Sequence, residues 1–206
     1  MHSMFTVPQA TATNAPTATH SVWKTAIRFT LVTIVLIGIG YPLLVTAIAG
    51  VAFPHQAAGS LIMKDGQVIG SELLAQSFTS DRDFHPRPSA AGNGYDATAS
   101  GGSNLAQSNK ALVDRIQGSI DKLAQENPGK PVPIDLVTTS GSGLDPDITP
   151  AAAYFQAPRV AKARGVLEDR IRQLIEQHTT SRQFGVLGEP RVNVLDLNLA
   201  MDKLPK

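Results

Sequence analysis

From Phe29 to Phe53 the chain carries no ionisable side chain other than Tyr41. Coiled as a helix at 1.5 Å per residue, that run spans about 37 Å, against a hydrocarbon core of about 30 Å. So apolar a stretch predicts a transmembrane helix. Gly38, Gly40 and Pro42 interrupt it near the middle. Pro42 frees a backbone carbonyl that lipid cannot satisfy, which predicts a kink seated against other helices, with the small residues allowing close approach. Gly38, Gly40, Tyr41 and Pro42 are therefore candidates for a partner interface.

Lys24 and Arg28 lie just ahead of the span, and Lys64 is the only Lys or Arg in the next 20 or so residues. The excess of positive charge before the span predicts a cytoplasmic N-terminus and an extracytoplasmic C-terminal part. A cleaved signal peptide is the rival reading, since Ala47-Ile48-Ala49 precedes Gly50. The apolar run is longer than the roughly 7–15 residues of a signal core, which favours an uncleaved anchor. The organisation expected is a flexible cytoplasmic segment (1–23), a membrane helix (24–53) and an extracytoplasmic domain (54–206). With no charge inside the span, the chain has no ion path of its own, so any part in transport is that of a subunit.

Of 206 residues, 18 are Lys or Arg and 17 Asp or Glu, a net charge of +1. That balance excludes a dedicated nucleic-acid binder, which needs a large positive excess. The absence of cysteine rules out disulfides, thiolate metal sites and a cysteine nucleophile.

After the span, Lys64-Asp65-Gly66 between two short apolar runs predicts a hairpin. Glu72–Phe78 fits no pattern. Residues 79–104 lack any period, yet Phe84, Arg87 and Tyr95 argue for an ordered loop. Leu112, Val113, Ile116, Ile120 and Leu123 share one face of a helix over Ser108–Glu126, which Asn127-Pro128-Gly129 stops. Ile134–Thr138 is expected to be a buried strand. Thr149 and Pro150 open a helix that Pro158 should split in two. Leu167–His178 is a further helix, and Val192–Leu199 fits strand and helix equally. The class expected is α+β: one N-terminal transmembrane helix and a small mixed domain.

The chain has no G-x-x-x-x-G-K-[ST], no G-x-S-x-G and no D-K-T-G. Three segments stand out as specified. One is Arg87-Pro88-Ser89-Ala90, where prolines hold an arginine extended. The others are Ser100–Leu105, with Ser103 and Asn104, and Ser140–Pro146, with Asp145; both have the glycine content of an anion-binding nest. Gln156, Arg159, Lys162 and Arg164 fall at helical spacing, the pattern of a solvated face. His85, near Asp81 and Asp83, is the one centre around which a Ser/His/Asp set of a membrane-anchored or secreted hydrolase could gather.

Taken in order, the segments resemble the KdpC family, the C subunits of the Kdp high-affinity potassium-transporting ATPases. The matching pieces begin with Gly40-Tyr41-Pro42-Leu43-Leu44-Val45-Thr46 and Phe84-His85-Pro86-Arg87-Pro88-Ser89-Ala90. They continue with Ser100-Gly101-Gly102-Ser103-Asn104-Leu105, Thr139 through Pro146, Gln156 with Arg159, and Gly188-Glu189-Pro190-Arg191-Val192-Asn193. The likeness runs from about residue 24 to 202. The first 22 residues fall outside it, and Ala106-Gln107-Ser108 replace the Gly-Pro-Thr common in the family. The resemblance implies a non-catalytic accessory subunit of an inner-membrane complex. Its partners would be a channel-like potassium-translocating subunit and a P-type ATPase subunit. The resemblance also implies a catalytic-chaperone role that raises the motor's affinity for ATP, with Gln156 and Arg159 as nucleotide-binding residues. Arg87, Ser89, Ser103, Asn104 and Asp145 join the span residues as candidates for contact with those partners.

Overall fold

The computed structural model describes residues 19–204, and the chain divides into two compact units after Ala57. The expected flexible N-terminus lies outside the described residues up to residue 18, and the helix is already formed at Thr19.

The first unit is a continuous helical rod. It comprises α1 (Thr19–Thr33), a π-helical segment (Ile34–Gly40) and α2 (Tyr41–Ala52), with a short α3 (Pro54–Ala57) after it. Val22–Ala52 is long and apolar enough to cross a membrane, and none of it is buried within the chain. The disturbance expected at Pro42 takes the form of a widened ladder on its N-terminal side. Tyr41 N–H bonds to Leu36 O, five residues back. A proline ring collides with the carbonyl four residues earlier in an ordinary α turn. The π segment shifts the ladder by a residue just where that collision would fall. Gly40 suits this site, since a Cβ there would stand 3.3 Å from Val35 O.

The second unit is α+β. Strands β1 (Leu61–Lys64) and β2 (Gln67–Ser71) form the expected hairpin, with Asp65 and Gly66 both at positive φ (51° and 77°). A separate three-stranded antiparallel sheet has the order β3-β5-β4, from Asp147–Ile148, Arg191–Asn193 and Thr179–Thr180. Three helices pack with it: α5 (Pro150–Arg164), α6 (Glu168–Gln177) and α7 (Val194–Asp202). Ile148, Phe155, Val160, Ile171, Val192 and Leu197 are the centre of their shared core. Helix α4 (Lys110–Glu126), capped by the Asn109 side chain, has no buried residue and reaches the core edge only through Leu123.

Two expectations are overturned. Ile134–Thr138 is no strand; Ile134–Leu136 is a 3-10 turn. The cause is Asp135, which is buried and accepts Thr149 N–H at 2.7 Å and the Thr149 hydroxyl at 3.2 Å. Turning Asp135 inward to the start of α5 is incompatible with an extended path. Nor does Pro158 split its helix: α5 runs unbroken from Pro150 to Arg164. The start expected there is observed, with the Thr149 hydroxyl accepting Ala152 N–H at 3.1 Å. The ambiguous stretch at 192–199 is both things in turn, β5 up to Asn193 and α7 beyond it.

Candidate functional site

Residues 81–85 leave a turn, closed by Asp83 N–H on Ser80 O at 3.0 Å, and run on as a strap with no strand partner. Backbone polar groups in a half-buried segment must still find partners, and here side chains of α5 and α7 supply them. Phe84 N–H donates to Asn198 Oδ1 at 2.8 Å, and Asn198 Nδ2 donates back to Phe84 O at 3.0 Å. One residue on, His85 N–H donates to Gln156 Oε1 at 2.8 Å, and Gln156 Nε2 donates to His85 O at 3.1 Å. Arg159 Nη1 binds Asp81 O and Asp83 O at 2.8 and 3.0 Å. Arg164 Nε binds Arg82 O, while its two amino groups pair with Asp83 and Asp202. The polar positions of α5 are thus a correction to the solvated-face reading. Gln156, Arg159 and Arg164 grip the strap, and of that set only Lys162 is exposed.

The strap delivers Arg87 and Ser89 to the other specified segments. Arg87 Nη1 meets Asp145 Oδ2 at 3.1 Å, and Arg87 Nη2 reaches Thr139 O at 3.4 Å. The Ser89 hydroxyl donates to Gly143 O at 2.6 Å and accepts the amides of Ala91 and Tyr95. The Tyr95 hydroxyl closes the loop on Arg87 O at 2.9 Å. Ser100–Leu105 lies against Ser140–Asp145, with Gly101 N–H on Ser142 O at 2.8 Å. A Cβ on Gly143 (φ +68°) would stand 2.6 Å from Gly101 O and 2.7 Å from Ala91 N. These glycines serve the close approach of three backbone runs. The anion-nest reading fails for the amides that mattered, because Gly101 and Gly143 N–H already bond to carbonyls. Arg87, Ser89 and Asp145 are brought together. Ser103 and Asn104 follow on the same loop, Asn104 exposed at φ +51°. Gly38, Gly40, Tyr41 and Pro42 belong to the other unit and are exposed along the rod.

Beside the strap lies a cleft of about 270 Å³, its wall including His85, Pro88, Tyr95, Lys122, Glu126 and Gln156. Burial, aided by the nearby Arg159 guanidinium, pushes His85 below its usual pKa, so the ring is neutral near pH 7. Its one hydrogen bond among the described residues is from Nε2 to Ser80 O at 3.0 Å. The Ser/His/Asp set considered around His85 is therefore not assembled, since neither a hydroxyl nor a carboxylate bonds to the ring. Burial likewise raises Tyr95.

Gln156 and Arg159 are engaged by partners within the chain. Gln156 is 2% exposed, and its Oε1 accepts from both His85 N–H and Arg159 Nη2, which fills both lone pairs. Arg159 spends Nε on Glu126 at 3.1 Å and Nη1 on the strap. Burial also lowers the Arg159 pKa, against the pull of Glu126, Asp81 and Asp83, which raise it.

The role of Asn198 was not legible in the sequence. A polar residue at the buried side of α7 was the available signal, and the helix itself was ambiguous.

A helix long and apolar enough to cross a membrane, followed by a small α+β domain whose most specified residues brace ordered loops, fits the class of single-anchor membrane proteins. Comparison with known proteins makes the class particular. A family model described as K+-transporting ATPase, c chain, matches residues 23–203, and the chain belongs to this family, KdpC. Three proteins similar to it are each named potassium-transporting ATPase KdpC subunit. The one from Acidobacterium capsulatum is 57% identical over 88% of this chain and 97% of its own length. That of Rhodopseudomonas palustris (strain BisB18) is 56% identical over 87% and 96%. That of Koribacter versatilis is 54% identical over 86% and 92%.

Proposed function

We propose that the chain is an accessory subunit of an ATP-driven, high-affinity potassium-uptake complex. It assembles with a channel-like potassium-translocating subunit and a P-type ATPase subunit, and stabilises them. The observation that carries this reading is the unbroken family match from residue 23 to 203, which takes in both the anchor and the second unit. The span holds the N-terminus in the cytoplasm, as Lys24 and Arg28 favour, and residues 54–206 lie outside. In that topology Gln156 and Arg159 cannot touch cytoplasmic ATP. The chain also raises the motor's affinity for ATP, and does so by biasing a conformational equilibrium of the complex, a coupling between distant sites.

The test is a pull-down of the tagged chain from detergent-solubilised membranes. The expected result is co-purification of a channel-like protein and a P-type ATPase; recovery of the chain alone overturns the reading. The chain has no cysteine of its own, so Ser108→Cys gives a single reporter of sidedness. Labelling by a membrane-impermeant maleimide in intact cells is expected, and protection until lysis would reverse the topology.

A further inference from the structure

Asn198 is one of the few buried polar side chains in the described residues, and it is spent entirely on the backbone of Phe84. Gln156 makes the same pair of bonds to His85, and its Oε1 also accepts from Arg159 Nη2. The two amides act on one object. Phe84 C=O and His85 N–H belong to the same planar peptide unit. Asn198 Nδ2, from α7, holds the carbonyl edge of that plane at 3.0 Å, and Gln156 Oε1, from α5, holds the N–H edge at 2.8 Å. A backbone N–H can only donate, so the oxygen of each side-chain amide faces the strap's N–H, which fixes the orientation of both. Release of either edge lets the plane rotate and strands the other partner in a buried, low-dielectric site.

We infer that Asn198 is a positioning residue that works with Gln156 as a single clamp on the Phe84–His85 peptide, and that Gln156 influences the pump through this clamp and not as a nucleotide ligand. The inference rests on the proposal that the chain supports ATP use by the motor subunit. The clamp sets the path of the backbone that continues into Pro86, Arg87 and Pro88. It thereby places Arg87 against Asp145 and Ser89 against Gly143. The buried Phe84 ring, with no exposed surface, seats the strap from the other side. Sequence separation hides the pairing: Gln156 and Asn198 lie 71 and 114 residues from the peptide they hold.

The experiment uses the intact complex carrying Gln156→Ala, Asn198→Ala or both in this chain. Asn198→Asp is a fourth variant that keeps the acceptor for Phe84 N–H and sets a carboxyl oxygen against Phe84 O in place of the donor. Two quantities are read: amide hydrogen exchange across residues 81–88, and the KM and kcat of potassium-stimulated ATP hydrolysis. Each alanine variant is expected to speed exchange at both Phe84 and His85 by about tenfold or more. Each should raise KM for ATP by about fivefold or more with kcat little changed. The double variant should be no worse than the stronger single one, because one clamp can be released only once. Asn198→Asp should show the same KM shift. A KM shift with Gln156→Ala alone, while both Asn198 variants loosen the strap without effect, overturns this inference and leaves the accessory role standing. If no variant that loosens the strap moves KM, this inference is overturned, whereas the ATP-supporting role fails only if a complex lacking this chain keeps the same KM.

Discussion

Pro42 and Pro158 both interrupt a helical ladder, one on an exposed apolar rod and the other inside a packed domain. The rod is unburied over Val22–Ala52, so the ladder itself gives way, and Ile34–Gly40 widens ahead of the ring. In α5 the ladder has less freedom. Ala152, Ala153, Phe155, Ala157, Val160 and Ala161 are buried on both sides of Pro158 and hold the axis in line. Pro158 has no N–H to give Tyr154 O, but the adjacent Phe155 O receives Asn127 Nδ2 at 3.0 Å. Local propensity predicts a break at both sites. Tertiary packing overrides it at Pro158 and leaves it visible at Pro42.

The contrast can be broken hardest at Phe155. Phe155→Ala removes the large side chain nearest Pro158 on the buried face and is expected to cost about 3–5 kcal/mol. Unfolding of the full chain in detergent, followed by circular dichroism, should show the loss together with reduced helicity. At the other proline, Pro42→Leu restores the ordinary ladder. Insertion should survive, since leucine suits the bilayer, while recovery of partner subunits in a pull-down should fall by about fivefold, on the order of 1 kcal/mol. Unchanged recovery would make the π segment incidental to assembly.

Pro158→Ala sharpens the same point in the opposite direction. The packing already enforces the helix, so returning the N–H should stabilise the domain by about 1 kcal/mol, read as a rise in thermal midpoint. The smallest effect expected is on pH dependence, and it should be confined to the second unit, where the shifted groups lie. His85 is held below the ordinary value of 6.5 by burial and by Arg159. Below that pH the unfolded chain takes up a proton that the native form refuses. Stability is therefore full above pH 6.5 and declines as the pH falls toward the lowered native value. A thermal scan from pH 7 to 5 should show this decline, and His85→Gln should flatten it.

Elements specified by neighbouring residues were legible in the sequence. Asp65-Gly66 turns its hairpin because both residues sit at positive φ. Thr149 and Pro150 start α5 where a capping side chain and a proline belong. The order of the 79–104 loop could be foreseen from Phe84, Arg87 and Tyr95, large side chains that need a seat. What was hidden is contact between distant segments. Asp135 looks like one polar letter in an apolar run until α5 arrives to be held by it. Gln156, Arg159 and Arg164 look like a wet helix face until the strap crosses them. The three specified loops could be picked out one by one, yet nothing in their spacing says that Ser89, Gly101 and Gly143 meet.

The strap's path is imposed from outside. Asp81 and Arg82 contribute only backbone atoms to its hydrogen bonds, and apart from the local turn at Ser80 the groups gripping it come from α5 and α7. A ribbon shaped in this way separates outline from lettering. Substitutions at positions 81 and 82 can alter the charge it displays without redirecting the chain, while inserting or deleting one residue would throw every grip out of step. Divergence in this surface should therefore be free in composition and rigid in length.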